Sequence, residues 1–179
     1  MYNQEKLNKN KKVFMKYLFA ICTMVFLFGT VSAQTYDSIP PYQKDSTLPK
    51  FLLLREDSSW FNTAQIPKRT PVVITFFNPS CEHCEHEATI LSKQMSKLKN
   101  VYFIWATYEG SFAEINEFAK KYHLSDYKNI HFFKDVNFLI PSFYRLRMTP
   151  YMAAYNKHGK LVKTWDAGAS PEELVEMFK

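Results

Sequence analysis

Apolar positions change period several times along this chain, and each change marks an element. Val72-Val-Ile-Thr-Phe-Phe77 is a β-branched and aromatic run that predicts a buried strand. Past the polar turn Asn78-Pro-Ser80 the spacing becomes helical. Cys84, Ala88, Leu91, Met95 and Leu98 step by four, three, four and three along one face. Lys93, Lys97 and Lys99 fall late in this helix, where cations suit the dipole. Val101–Thr107 is a continuous apolar run and predicts a second buried strand. Ser111-Phe-Ala-Glu114 is a capping box leading into Phe112, Ile115, Ala119 and Tyr122 on one helical face. Ile130–Phe133 reads as a third strand, and Asp135–Arg145 as a helix in which Pro141 must lie in the first turn or break it. Tyr151–Tyr155 and Leu161–Trp165 flank Asn156–Lys160 as an antiparallel hairpin. Ser170-Pro-Glu-Glu173 opens a last helix with a serine cap, proline first and glutamate third, and with Leu174, Val175 and Phe178 inward. Upstream, Phe51–Leu54 and Trp60-Phe61 predict a hairpin at the edge of the sheet.

The first fifty residues carry no such pattern. Lysines cluster up to Lys16, Tyr17–Val31 is almost wholly apolar, and Val31-Ser32-Ala33 offers small residues before Gln34. This order describes a secretory signal peptide over 1–33, with export to the periplasm or another extracytoplasmic face. If the segment stayed uncleaved, it would act as a membrane anchor. Residues 34–50 are polar and proline-bearing and read as an extended lead or linker. The body, 51–179, is long enough for one domain with a real core.

Charge then changes little. The chain carries +6 formally, but removing the five lysines and Glu5 of residues 1–33 leaves 18 basic and 16 acidic residues. A body this close to neutral has no electrostatic footprint for nucleic acid.

The candidate chemistry sits at the junction of the first buried strand and the following helix, in Cys81-Glu-His-Cys84. Without Cys22, which lies in the signal segment, these are the only two cysteines. A C-x-x-C at a strand-to-helix turn reads as a redox pair. Two cysteines so close stabilise a fold little by closing a loop, so they suit exchange chemistry better than stapling. A helix start favours a thiolate, which makes Cys81 the candidate nucleophile and Cys84, one turn inside, the candidate resolving thiol.

Phe76-Phe77 running into Cys81-Glu-His-Cys84, Met148-Thr149-Pro150 directly before a strand, and the closing hairpin and helix together resemble the thioredoxin fold. They resemble more closely the exported TlpA/ResA-like thiol-disulfide oxidoreductases, over roughly residues 48–179. The resemblance implies an α/β thioredoxin-like fold, a central mixed sheet flanked by helices with an N-terminal β-hairpin extension. It also implies catalysis by Cys81 and Cys84 without a cofactor. Thr149 and Pro150 would be the substrate-binding cis-proline pair. Glu87 would match the glutamate of the C-E-x-C-x-x-E pattern that influences thiol ionisation, with Glu82 and His83 tuning the potential. Protein or peptide disulfides and dithiols would be its substrates, together with an electron-donor or acceptor protein. His83 also occurs in strongly oxidising relatives, whereas the glutamates and the resemblance favour a reductase or isomerase. The chain departs from the family in two places: Ser80 stands where many relatives have tryptophan, and Thr75 where thioredoxin has a buried acid.

Other readings of the same residues are zinc or copper binding through Cys81, His83, Cys84 and His86, a copper chaperone, and a non-catalytic binding domain. One short turn wraps four ligands around an ion poorly, and His123, His131 and His158 are scattered. Haem attachment is excluded by Glu85 after Cys84, and the peroxiredoxin signature is absent around Cys81. Phe132, Phe133, Phe138, Phe143 and Tyr144 read as core, with a peptide groove as the alternative.

Overall fold

The computed structural model describes residues 9–19 and 38–179. Residues 9–19 (α1) are helical and exposed. The remainder of the expected signal peptide lies outside the described residues, as does its cleavage point. Among the described residues no helix is long and apolar enough to cross a membrane.

The body, 39–179, is built on the strand that the β-branched run foretold. β3 (Val72–Phe76) is buried along its whole length and is an interior strand, fifth in a seven-stranded mixed sheet ordered β2-β1-β5-β4-β3-β6-β7. β4 (Tyr102–Thr107) and β5 (Ile130–Lys134) run parallel to it, joined by crossing helices. β6 (Tyr151–Tyr155) pairs antiparallel with β3 and turns through a hairpin into β7 (Leu161–Trp165). The expected edge hairpin is present as β1 (Leu52–Leu54) and β2 (Trp60–Asn62), and joins β5 only through Leu54 and Lys134.

Alternation along β3 divides the core. Val73 and Phe77 face one side with α3 (Glu82–Ser92), α4 (Phe112–Lys121) and α6 (Pro171–Met177). Val72, Ile74 and Phe76 face the other with the hairpin and α5 (Leu139–Tyr144). Of the residues expected to be extended before the body, Pro41–Lys44 (α2) makes one helical turn. Tyr42 and Leu48 pack against the second core, and Leu48 N–H donates to Gly159 O at 2.8 Å.

Three local expectations are corrected. The face Cys84–Leu98 is buried throughout, but α3 ends at Ser92 and Met95–Lys97 continues as a 3₁₀ turn. Lys93 is therefore the C-cap, and Lys97 and Lys99 lie beyond the helix. The helix expected over Asp135–Arg145 shortens to α5, because the buried Asp135 carboxylate accepts from Leu139 and Ile140 N–H and starts the helix there. Pro141 is its third residue, where its missing N–H costs nothing. At α6, Pro171 is first as expected, but Ser170 makes no side-chain cap. Its hydroxyl donates to Glu172, and Glu173 is drawn away to Lys163 and Trp165 on β7.

Candidate active site

The polar turn after β3 is held by its own asparagine. Asn78 Oδ1 accepts from Ser80 N–H at 2.8 Å, an Asx turn that delivers Cys81 to the N-cap of α3. The Asn78 amide group is anchored to the Glu109 carboxylate, and its backbone N–H points at Cys84 Sγ at 3.5 Å. Sequence reasoning passed over Asn78, although Asn-Pro-Ser before a helix is a readable turn signal.

Both cysteines are free thiols in unlike surroundings. Cys84 is fully buried, and burial pushes its thiol up to about 12, helped by the hydrogen bond it gives Cys81. Cys81 is partly exposed. Burial pushes its thiol up as well, but the N–H and thiol of Cys84, the Thr149 hydroxyl and the His83 N–H outweigh it, and the group lies below its ordinary value. No regular capping hydrogen bond closes at Cys81; the N–H groups act as an electrostatic cradle. The negative charge belongs on Cys81 and the proton on Cys84.

At the start of the neighbouring strand β6, the Thr149–Pro150 peptide is cis and Pro150 is buried. Thr149 Oγ1 donates to Cys81 Sγ at 3.7 Å, and the thiol in turn faces Thr149 O at 3.7 Å. Residues 68 positions apart in sequence thus meet at one sulfur atom.

Glu87 is buried one turn beyond Cys84 on the same face of α3. Burial pushes its carboxyl up to about 7, against the backbone N–H of Ala169, which pulls it down. Its second oxygen, Oε1, has no hydrogen-bond partner. The Thr75 hydroxyl, where thioredoxin carries its acid, is likewise buried and unpartnered. Gly168 stands against Glu87 and was not picked out from the sequence. The chain has only four glycines, and a glycine in the short loop before α6 was the available signal. Glu82 and His83 are exposed, and His83 reaches the sulfur through its N–H rather than through its imidazole. Among the described residues no three His, Cys, Asp or Glu side chains come together in a way that could hold a metal ion.

No family model matches the chain, and no curated protein matches it significantly. Solved structures do. A secreted Mycobacterium tuberculosis disulfide oxidoreductase homologous to Escherichia coli DsbE is 23% identical, with a TM-score of 0.60 over 71% of this chain and 92% of that one. StoA from Bacillus subtilis is 16% identical, with a TM-score of 0.56 over 73% and 97%. The thioredoxin domain of a Bacteroides vulgatus thiol-disulfide oxidoreductase is 16% identical, with a TM-score of 0.59 over 79% and 98%. At these identities the likeness establishes the fold: this chain is a thioredoxin-fold protein.

Proposed function

We propose that this protein is an extracytoplasmic thiol-disulfide oxidoreductase working through Cys81 and Cys84, chiefly as a reductase or isomerase. The observation that carries it is the unequal pair, a partly exposed thiol held below its ordinary value beside a buried one pushed up to about 12. An inert structural pair has no need of that difference.

The Cys81 thiolate attacks one sulfur of a substrate disulfide. A mixed disulfide forms, and the other substrate sulfur leaves as a thiolate and takes a proton. Cys84 gives up its proton, attacks the Cys81 sulfur and closes the Cys81–Cys84 disulfide, releasing the second substrate thiolate. The substrate gains two electrons and the protein loses two, so a dithiol electron donor must reset it. Glu87, near 7 and one turn from Cys84, is the group proposed to take the Cys84 proton. The backbone beside Pro150 is where the substrate chain would pair. Glu82, Glu85 and Glu87, which discourage a second negative charge beside the thiolate, support the reducing direction over the oxidising one. Two structural neighbours, a secreted disulfide oxidoreductase and a pneumococcal exposed lipoprotein thioredoxin, support the extracytoplasmic setting together with the N-terminal pattern.

The test is trapping. Cys84→Ser should accumulate a mixed disulfide between Cys81 and a disulfide-bonded protein, visible on a non-reducing gel and lost with dithiothreitol. Absence of that adduct, or its formation equally in Cys81→Ser, would overturn the assignment.

A further inference from the structure

We propose that Glu109 is a positioning residue for the resolving half of the exchange, acting through Asn78 to hold a backbone N–H on the sulfur of Cys84. This rests on the exchange reading above and concerns its second step alone.

The need for such a donor comes from burial. Cys84 is fully buried, and a thiol without water around it ionises where protein dipoles take the place of hydration. The resolving attack nevertheless develops negative charge on that sulfur. Of the groups that favour the charge, the Asn78 N–H acts most strongly, ahead of Thr149. It lies 3.5 Å from Cys84 Sγ. A donor is useful to a developing charge when it is already aimed, so the orientation of residue 78 sets how well the charge is met.

That orientation is fixed from several sides. Phe77 N–H ends the ladder on Ala106 O at 3.0 Å, and Asn78 O accepts from Cys81 N–H at 3.1 Å. The asparagine side chain is gripped at both ends. Its Oδ1 accepts from Ser80 N–H at 2.8 Å, and its amide group donates to the Glu109 carboxylate. The bonds to Ser80 and Cys81 lie within the redox turn and move with it. The Glu109 bond is the side-chain grip from outside, 31 residues away in sequence. It is charge-assisted and lies at half-buried positions, where such bonds are strong.

Glu109 has a firm footing of its own. Its N–H donates to the hydroxyl of the buried Thr107, at the end of β4, at 3.0 Å. The next residue, Gly110, brings the same turn against the redox turn, because a Cβ placed there would stand 3.6 Å from Pro79 Cγ. Asn78 is thereby tied to the rigid end of a buried strand. Among the described residues no hydrogen bond joins Glu109 to either sulfur, so its effect on Cys84 passes through Asn78.

The experiment follows the two halves of the exchange separately. Reduced protein is mixed in stopped flow with dithiobis(nitrobenzoic acid), whose disulfide gives a coloured thiolate when it breaks. Cys81 attacks first, forming a mixed disulfide and releasing one thiolate. Cys84 then gives its proton to Glu87, attacks the Cys81 sulfur, closes the Cys81–Cys84 disulfide and releases the second. The protein loses two electrons and the reagent gains them. Glu109→Ala should slow the second release about tenfold relative to the first, as expected when a hydrogen bond to a charged group is lost. Glu109→Gln keeps an oxygen for the Asn78 amide and should keep the wild-type ratio. Asn78→Ser can still accept from Ser80 N–H but cannot reach Glu109, so it should match Glu109→Ala, and combining the two should add nothing. A wild-type ratio in Glu109→Ala, or equal slowing of both releases, would overturn the positioning role. A Gln variant as slow as the Ala variant would overturn it too, since charge rather than the bond would then be acting. Additive losses in the double variant would do the same. A wild-type protein that never releases the second thiolate would overturn the exchange reading itself, and this proposal with it.

Discussion

The Glu87 carboxylate lies directly against the backbone of Gly168. A Cβ built at 168 would overlap Glu87 Oε2 and stand 3.0 Å from its Cδ, and 3.5 Å from Pro150 Cγ. The loop before α6 thus closes over the buried acid of α3 and the proline facing the thiols, and only a residue without a side chain permits it. Gly168 also has φ +89, which L residues rarely adopt. Gly168→Ala should cost about 1–3 kcal/mol in urea unfolding. In a Glu87→Ala background the cost should shrink to its backbone part, about 1 kcal/mol. Equal costs in the two backgrounds would mean that the carboxylate contact carries no energy.

Burial of Glu87 makes stability depend on pH in a definite direction. The carboxyl titrates at 4.5 when unperturbed and about 7 in the folded protein. Between these values the unfolded chain has released a proton that the folded one keeps, so stability falls as pH rises from about 4.5 to about 7 and levels off above. Glu87→Gln removes this loss. Relative to wild type it should gain up to about 2–3 kcal/mol above pH 7 and nothing near pH 4. Urea melts at pH 4, 5.5 and 7.5 decide it; a difference independent of pH would contradict the burial argument.

The two thiols should be chemically distinguishable in the reduced protein. Iodoacetamide near neutral pH should label Cys81 and leave Cys84 untouched, and the Cys81 rate should rise through a midpoint below its ordinary value of 9. Peptide mapping by mass spectrometry reads both. Labelling of Cys84 at a comparable rate would contradict the difference in burial.

The two serines read as helix caps should part company. Ser111 accepts from Glu114 N–H, and Glu114 returns a bond to Ser111 N–H, so Ser111→Ala should cost about 1 kcal/mol. Ser170 makes no cap, and Ser170→Ala should stay within about 0.5 kcal/mol. Denaturant midpoints of the two variants make the comparison.

That last pair shows what could be read in advance and what could not. Hydrophobic period reports which face is buried, so the sheet, the crossing helices and both hairpins were legible. It does not report the hydrogen-bond pattern, which is why Met95 and Leu98 kept their place in the core although α3 had already ended. A capping box is a local signal, and it failed at Ser170 because Lys163 and Trp165, brought near by the hairpin, compete for Glu173. At the site, Cys81, Cys84, Thr149 and Pro150 followed from spacing and resemblance. Asn78 and Gly168 did not, because their roles depend on a sulfur atom and a carboxylate that only the folded chain brings beside them. The aromatic surplus divided: Phe133 and Tyr144 are core, whereas Phe138 is half exposed.

The most direct measurement is a redox titration of the Cys81–Cys84 pair. The protein is equilibrated across glutathione buffers from fully reducing to fully oxidising, and free thiols are trapped with a mass tag at each step. The exchange account expects one two-electron transition in which both cysteines disappear together, at a potential near or below thioredoxin's, about −270 mV. A transition near −120 mV would reverse the proposed direction and make the protein an oxidant. Thiols that stay free at every poise would contradict exchange chemistry at this site altogether.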